Sequence, residues 1–340
     1  MKFYSIVFIA LLLATISCND KTSKSETSQE DNKIDTITFA LDWTPNVLHT
    51  GFFVALHLNW FEEENLHIKW YSTEIDNYQK KPIMRVLDRE ADIAIGPSEH
   101  LFTFSNHGQK AKAIATILQK GQSVFAVKQE SGIENISDLD NKTYIGYNTP
   151  LENEILSAMI KHGGGKGNFE STTPDRLKVW DAFLENKGDI VWIFSHWEGV
   201  LAQLNDTPLQ YFYPEDFGVP YGYSSVLFAR FEMSEEEAIK LKKFLNILSK
   251  GYQYAYENPE EEIVNILQHF IAHPDYEDAE MLTLALADIK HSFLQNETKS
   301  WGIMQDSIWS NYVDWTIKNG RIFGEEKDVD AGVFYTNELL

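Results

Sequence analysis

Two successive runs that alternate strand-like with helix-like patterns, followed by a final third that is helical throughout, constrain this chain more than any other feature. In the first run, residues 37–42, 67–72 and 92–97 are β-branched or aromatic and predict strands, while 50–64 and 78–89 predict helices. Strand, helix, strand order with short links implies parallel pairing through right-handed crossovers, so an α/β fold is expected. Two apolar runs at 111–118 and 123–129 follow. The pattern then restarts, with strands at 143–147, 189–194 and 209–213 and helices at 152–162, 177–186 and 197–204. A further strand at 224–231 is placed to return to the first unit. Beyond Ser234 only helices are predicted: Ser234 with Glu237 is a capping-box pair, and 260–273, 278–293 and 305–318 carry apolar residues at spacings of three and four. The expectation is two α/β lobes, with the C-terminal helices packed on the first.

The N-terminus has a different character. Met1 and Lys2 precede an apolar run from Phe3 to Ile16 that ends at Ser17-Cys18. It is shorter than the roughly 20 apolar residues of a membrane span, so residues 1–17 are expected to be a signal peptide. The cysteine that directly follows resembles the lipid-bearing cysteine of a bacterial lipoprotein. Cys18 is the only cysteine, which leaves no thiol for a disulfide or a thiolate metal site. Residues 19–33 hold no aliphatic side chain and predict a disordered tether, making 18–33 lipidated cysteine and linker. A formal charge of −22 spread along the chain argues against nucleic acid, whose phosphates need clustered Lys and Arg.

Candidate site residues concentrate where strands are expected to end, which in an open α/β sheet is where ligands bind. The segment from Leu41 to Gly51 puts Asp42, Trp43, Asn46 and His49 into one strand-to-helix turn. There Trp43 offers a stacking face, Asp42 an acceptor and Asn46 both donor and acceptor. Equally, Trp43 is a core residue, Asp42 or Asn46 a helix cap and His49 part of the first turn. Ser98 and Glu99 follow the third strand. Trp192, Trp197 and Glu198 follow a strand of the second unit, and Tyr221, Tyr223 and Ser224 precede the return. Aromatic rings converging from both units suit a flat, polar-edged heterocycle.

Three motifs fail on inspection. Gly163-Gly164-Gly165-Lys166 lacks the Ser or Thr of a phosphate loop, Gly222 to Val226 lacks the second glycine of a nucleophile elbow, and His269 with His273 has no third metal ligand in view.

The Leu-Asp-Trp-x-Pro-Asn-x-x-His-x-Gly pattern of residues 41–51, the Ala91 to Ser98 run and the segment from Asp138 to Tyr144 resemble the SsuA/THI5-like proteins. That group holds solute-binding proteins of ABC importers and a pyrimidine synthase of thiamin biosynthesis. The first motif is most similar to the binding proteins for formylaminopyrimidine, a thiamin salvage intermediate. The resemblance implies a type II periplasmic-binding-protein fold: lobe one from 34–125 and 221–340, lobe two from 126–220, a ligand cleft between them and extra C-terminal helices. It also implies Asp42, Trp43 and Asn46 as ligand contacts, with Trp43 stacked on a pyrimidine. The function so implied is a lipid-anchored binder of a pyrimidine-like thiamin precursor in the bacterial cell envelope. Its partners are an importer permease and, through the lipid, a membrane; no cofactor, metal or catalysis is expected. In the related synthase a lysine holds pyridoxal phosphate near a histidine and a cysteine-rich cluster; here Gly96 falls at the lysine position, His100 at the histidine, and the cysteines are missing. Two alternatives stay open. One is a pyrimidine-processing enzyme using His100 or His49 with Glu99. The other is a binder of an alkanesulfonate, against which stands the near absence of basic residues from the candidate segments.

Overall fold

Strand β1 (Asp35–Ala40) opens the first run, followed by helices α1 (Thr50–His57) and α2 (Trp60–Glu63), β2 (Leu66–Tyr71), α3 (Pro82–Leu87), β3 (Ile93–Gly96), α4 (Glu99–Phe104) and β4 (Ala111–Thr116). The second run comprises β5 (Ser123–Lys128), β6 (Thr143–Ile145), α5 (Pro150–His162), β7 (Glu170–Thr172), α6 (Val179–Leu184), β8 (Ile190–Phe194), α7 (Glu198–Leu204) and β9 (Leu209–Phe212). Strand β10 (Val226–Arg230) then leads into α8 (Glu235–Glu257), α9 (Glu260–Leu267), α10 (Ala279–Ile289) and α11 (Asp306–Asn319). This computed structural model describes residues 34–104, 111–175, 178–271, 278–319 and 329–340. The expected signal peptide, the lipid site at Cys18, the tether and His273 lie outside the described residues.

Two five-stranded sheets result, ordered β2-β1-β3-β10-β4 and β7-β6-β8-β5-β9. The βαβ units pair in parallel as expected: β1 with β2 and β3, and β6 with β7 and β8. Both sheets are nonetheless mixed. β10 runs antiparallel to β3 and β4, and β5 runs antiparallel to β8 and β9. The reason is geometric. The parallel strands end at the space between the sheets, so a chain arriving from the other sheet enters at that end and must run away from it. β5 and β10 are the two strands that begin this way.

Local boundaries follow from local chemistry. The single helix expected over 50–64 is interrupted by Asn59, whose φ of 58° closes α1 in the left-handed region that asparagine tolerates. α8 starts where Ser234 Oγ accepts the Glu237 N–H at 3.2 Å and the Ser234 N–H donates to Glu237 Oε2 at 2.7 Å. Its buried stripe runs through Leu241, Phe244, Leu245, Leu248, Tyr252 and Ala255. The edge strand β7 has the sequence Glu-Ser-Thr and is exposed throughout, so no apolar signal announced it.

The C-terminal helices cover more than the first sheet. α8 crosses α1 so closely that a Cβ on Gly251 would stand 2.0 Å from the Gly51 carbonyl oxygen. α9 also meets α1, but α10 contacts α7 of the second run. The C-terminal helices thus pack on the first unit, as expected, and α10 adds a contact with the second.

Candidate functional site

Because the parallel strands of both sheets end at the same space, the loops that follow them face one another across a cleft of about 340 Å³. Asp42 and Trp43 enter it after β1, Tyr78 and Lys81 after β2, Gly96 at the end of β3 and Glu99 just beyond it. Opposite stand Tyr147 and Glu152 after β6, with Trp192 and Phe194 on β8. Tyr221 and Ser224, on the chain returning to the first sheet, close the floor.

The turn after β1 is a closed hydrogen-bond network. Asn46 Oδ1 accepts the Leu48 N–H at 2.8 Å while its Nδ2 donates to the Thr44 carbonyl at 2.9 Å. The Asn46 N–H donates to His49 Nδ1 at 3.1 Å. That bond leaves the proton on Nε2, which donates to Asp42 Oδ1 at 3.1 Å. Asn46 and His49 are buried behind the turn, and they fix Asp42 and Trp43 at its front. The spacing Asp42, Asn46, His49 is thus what the turn needs to hold its shape.

After β2 the backbone does something less common. Asn77 and Tyr78 both adopt left-handed φ values, 55° and 63°. For a bulky residue such as tyrosine this costs on the order of 1–3 kcal/mol, and here it brings the Tyr78 ring to the cleft wall. Pro82 at the first position of α3 then ends the loop, so Lys81 stands at the helix entrance.

The carboxylates of the cleft differ in how they are satisfied. Glu152 lines the wall, but it is the third residue of the α5 capping box and all its capacity is used. Oε1 accepts from the Thr149 N–H and hydroxyl, and Oε2 from the Tyr147 N–H and the Tyr144 hydroxyl. Burial still pushes its pKa up. Glu99 accepts only the Tyr221 hydroxyl, on Oε1 at 2.9 Å; Oε2 has no partner among the described residues. Burial, reinforced by the charge of Glu152 and opposed by the Tyr221 bond and Lys81, pushes Glu99 up to about 7. Lys81 is half-buried, and that desolvation lowers its pKa against the pull of Glu152 and Glu99.

Of the residues expected from sequence, Asp42, Trp43, Glu99, Trp192, Tyr221 and Ser224 meet on the cleft wall. Asn46, His49, Ser98, Trp197, Glu198 and Tyr223 stand behind it. Ser98 is buried beside Gly222, and Tyr223 accepts the Gln305 N–H at 2.9 Å beside Trp309. Trp197 is in the core. Glu198 is buried at the start of α7, where Oε2 accepts the Phe194 N–H at 3.0 Å. Neither imidazole of the enzymatic alternative is joined to Glu99 by a hydrogen bond among the described residues: His49 serves the turn, and His100 packs on Phe104 and Phe228. His269 stacks on His57 of α1 at 5.1 Å, away from the cleft.

Sequence reasoning missed Tyr78, Lys81, Tyr147 and Glu152. Two signals were available: Pro82, which marks 78–81 as loop instead of helix, and the Thr149 to Glu152 capping box, which marks the strand end before it. Lys81, outside the candidate segments, adds a basic residue to the cleft wall.

Comparison with known proteins bears on this geometry. The NMT1/THI5-like family profile matches residues 46–262. The chain belongs to the NMT1/THI5-like family. The matched span of this family member takes in every strand but β1 and most of the cleft loops, beginning three residues after Trp43. A formylaminopyrimidine-binding protein from Halalkalibacterium halodurans is 22% identical over 320 residues, which is 93% of each chain. Among solved structures, the alkanesulfonate-binding protein SsuA from Xanthomonas axonopodis pv. citri, bound to MOPS, matches 88% of this chain and 98% of its own with a TM-score of 0.64 at 10% identity. The periplasmic aliphatic sulphonate-binding protein SsuA from Escherichia coli matches 89% and 92% with a TM-score of 0.63 at 12% identity. At these identities the likeness carries the fold: two lobes of the periplasmic-binding-protein type, with the cleft between them.

Proposed function

We propose that this protein is the solute-binding component of an ABC importer and that it captures a pyrimidine-like thiamin precursor in the cleft between its lobes. The observation that carries the reading is the cleft itself, lined by Trp43 from one lobe and Trp192 from the other, with the acceptors Asp42 and Glu99 on its wall. Flat rings next to carboxylates suit an aminopyrimidine, which offers a π face and N–H donors at its edge. The relative named for formylaminopyrimidine binding supports the same class of ligand. Capture needs no bond-making: a ligand bridging the lobes favours the closed form, with the crossings at 117–122 and 213–225 as hinge. Asp42, Trp43, Glu99, Trp192, Tyr221 and Ser224 are the proposed contacts, while Asn46, His49, Ser98, Trp197, Glu198 and Tyr223 hold them in place. A lipid on Cys18 would keep the binder at the membrane beside its permease.

The test is a thermal-shift panel on the purified full chain. Formylaminopyrimidine or hydroxymethylpyrimidine should raise Tm, and Trp43→Ala should abolish the rise, whatever the loss of core packing takes from the unliganded Tm. A second reading, an alkanesulfonate ligand, draws on Lys81 in the cleft. A panel in which sulfonates shift the melt and pyrimidines do not would replace the first reading with the second.

A further inference from the structure

Two ionisable side chains on the cleft wall keep polar atoms unanswered by the described residues, and their charges are of opposite sign. Glu99 is 4% exposed, and its Oε2 receives no hydrogen bond from a described residue. The ammonium of Lys81, half-buried on the same wall, forms no hydrogen bond or ion pair with a described residue. The contrast with its neighbour is sharp, since Lys80 Nζ pairs with both Asp88 and Glu90 at 2.6 Å. Glu152, the other carboxylate facing Lys81, is already saturated by Tyr144, Tyr147 and Thr149. A buried oxygen lacking a donor and a partly desolvated ammonium lacking an acceptor are both destabilising. Groups so placed on a cavity wall are completed by what fills the cavity.

We infer that the bound ligand presents an N–H donor to Glu99 Oε2 and an oxygen acceptor or negative charge to Lys81, so that these two side chains set its polarity and orientation in the cleft. The inference rests on the pyrimidine reading above and makes it directional. The ring amine of an aminopyrimidine lies toward Glu99 and the Tyr221 side of the floor. The polar end of its side chain, such as a formyl oxygen, lies toward Lys81. A simple anion such as a sulfonate answers only Lys81 and leaves Glu99 unsatisfied beside it. A ligand with a donor at one end and an acceptor at the other answers both.

Calorimetric titration of the full chain with three compounds tests this: formylaminopyrimidine, its analogue with the ring amine replaced by hydrogen, and its analogue with the formylamino group replaced by an alkyl chain. Glu99→Gln should weaken binding of formylaminopyrimidine by about ten- to a hundredfold, the loss of a hydrogen bond to a charged group. Binding of the analogue without the ring amine should change by less than about twofold. Lys81→Met should show the converse pattern, a loss of about tenfold or more with formylaminopyrimidine and little change with the alkyl analogue. The unliganded Tm checks folding of each variant, and if Glu99→Gln does not fold, Lys81→Met with the alkyl analogue decides. If the wild-type chain binds formylaminopyrimidine and both variants keep its affinity within about twofold, the inference is overturned while the pyrimidine reading stands. If the wild-type chain binds none of the three, that reading falls and this one with it.

Discussion

Replacing Glu198 by Gln should make the protein more stable at alkaline pH than at acidic pH, relative to wild type. Glu198 is 1% exposed; Oε2 accepts the Phe194 N–H and Oε1 has no partner among the described residues. Burial outweighs the Phe194 hydrogen bond and pushes the carboxyl from 4.5 up to about 7. Between those values the folded chain keeps a proton that the unfolded chain has released, so stability falls as pH rises through the window and levels off above about 7. A displacement of that size is worth on the order of 3 kcal/mol. Glutamine keeps the shape and the acceptor for Phe194 and does not titrate, so the variant escapes the loss. Other buried groups titrate as well. Glu99, also raised to about 7, acts in the same direction. Burial holds His100 and His196 down to about 3, so their contribution is complete above 6.5 and is lost as pH falls toward 3. A double difference removes them all. Urea unfolding of wild type and Glu198→Gln at about pH 5 and about pH 8 should show the variant gaining about 2–3 kcal/mol between the two conditions. A gain below about 0.5 kcal/mol would refute the reasoning. It would mean that Glu198 ionises in contact with water, on the cleft side of the wall and not behind it.

Other perturbations probe the frame around the cleft. Gly251→Ala places a methyl 2.0 Å from the Gly51 carbonyl oxygen, a backbone atom that cannot step aside. Overpacking of about 1–3 kcal/mol should exceed the roughly 1 kcal/mol gained in helix propensity, so urea unfolding should show net destabilisation. Asn46→Ala removes the acceptor of the Leu48 N–H and the donor to Thr44. It should cost about 1–2 kcal/mol in stability and weaken ligand binding through displacement of Asp42 and Trp43; full affinity in a ligand titration would show that the turn does not position them. Ser234→Ala should cost about 1 kcal/mol by loss of the α8 cap and leave the ligand-induced rise in Tm intact, a pairing that a melt with and without formylaminopyrimidine checks.

The difference between the groups behind the wall and those on it explains how far the sequence could be read. Element type and order were legible because they depend on local periodicity and capping: β1, α5, β8 and the helical third from Ser234 all announce themselves within a dozen residues. So was the β1–α1 turn as a place of interest, since Asp42, Trp43, Asn46 and His49 are crowded into eight positions. Their division of labour was not legible. Which side chain faces the cleft depends on Asn46 and His49 bonding each other and Asp42, and that bond exists only once the turn has closed. The antiparallel courses of β5 and β10 were hidden for the same kind of reason, because strand direction is set by where the chain enters a sheet. Tyr78 and Lys81 on one loop and Glu99 about 20 residues further on come together at the cleft, Tyr147 and Trp192 meet them from the other sheet, and Tyr221 from the crossing between the sheets. By itself the sequence determined the alternation that builds two sheets and the chemistry available at their ends. Tertiary structure alone decided which carboxylate is saturated, which is left open, and that a lysine without an ion pair among the described residues shares its wall, because burial and partnership are properties of packing between distant segments.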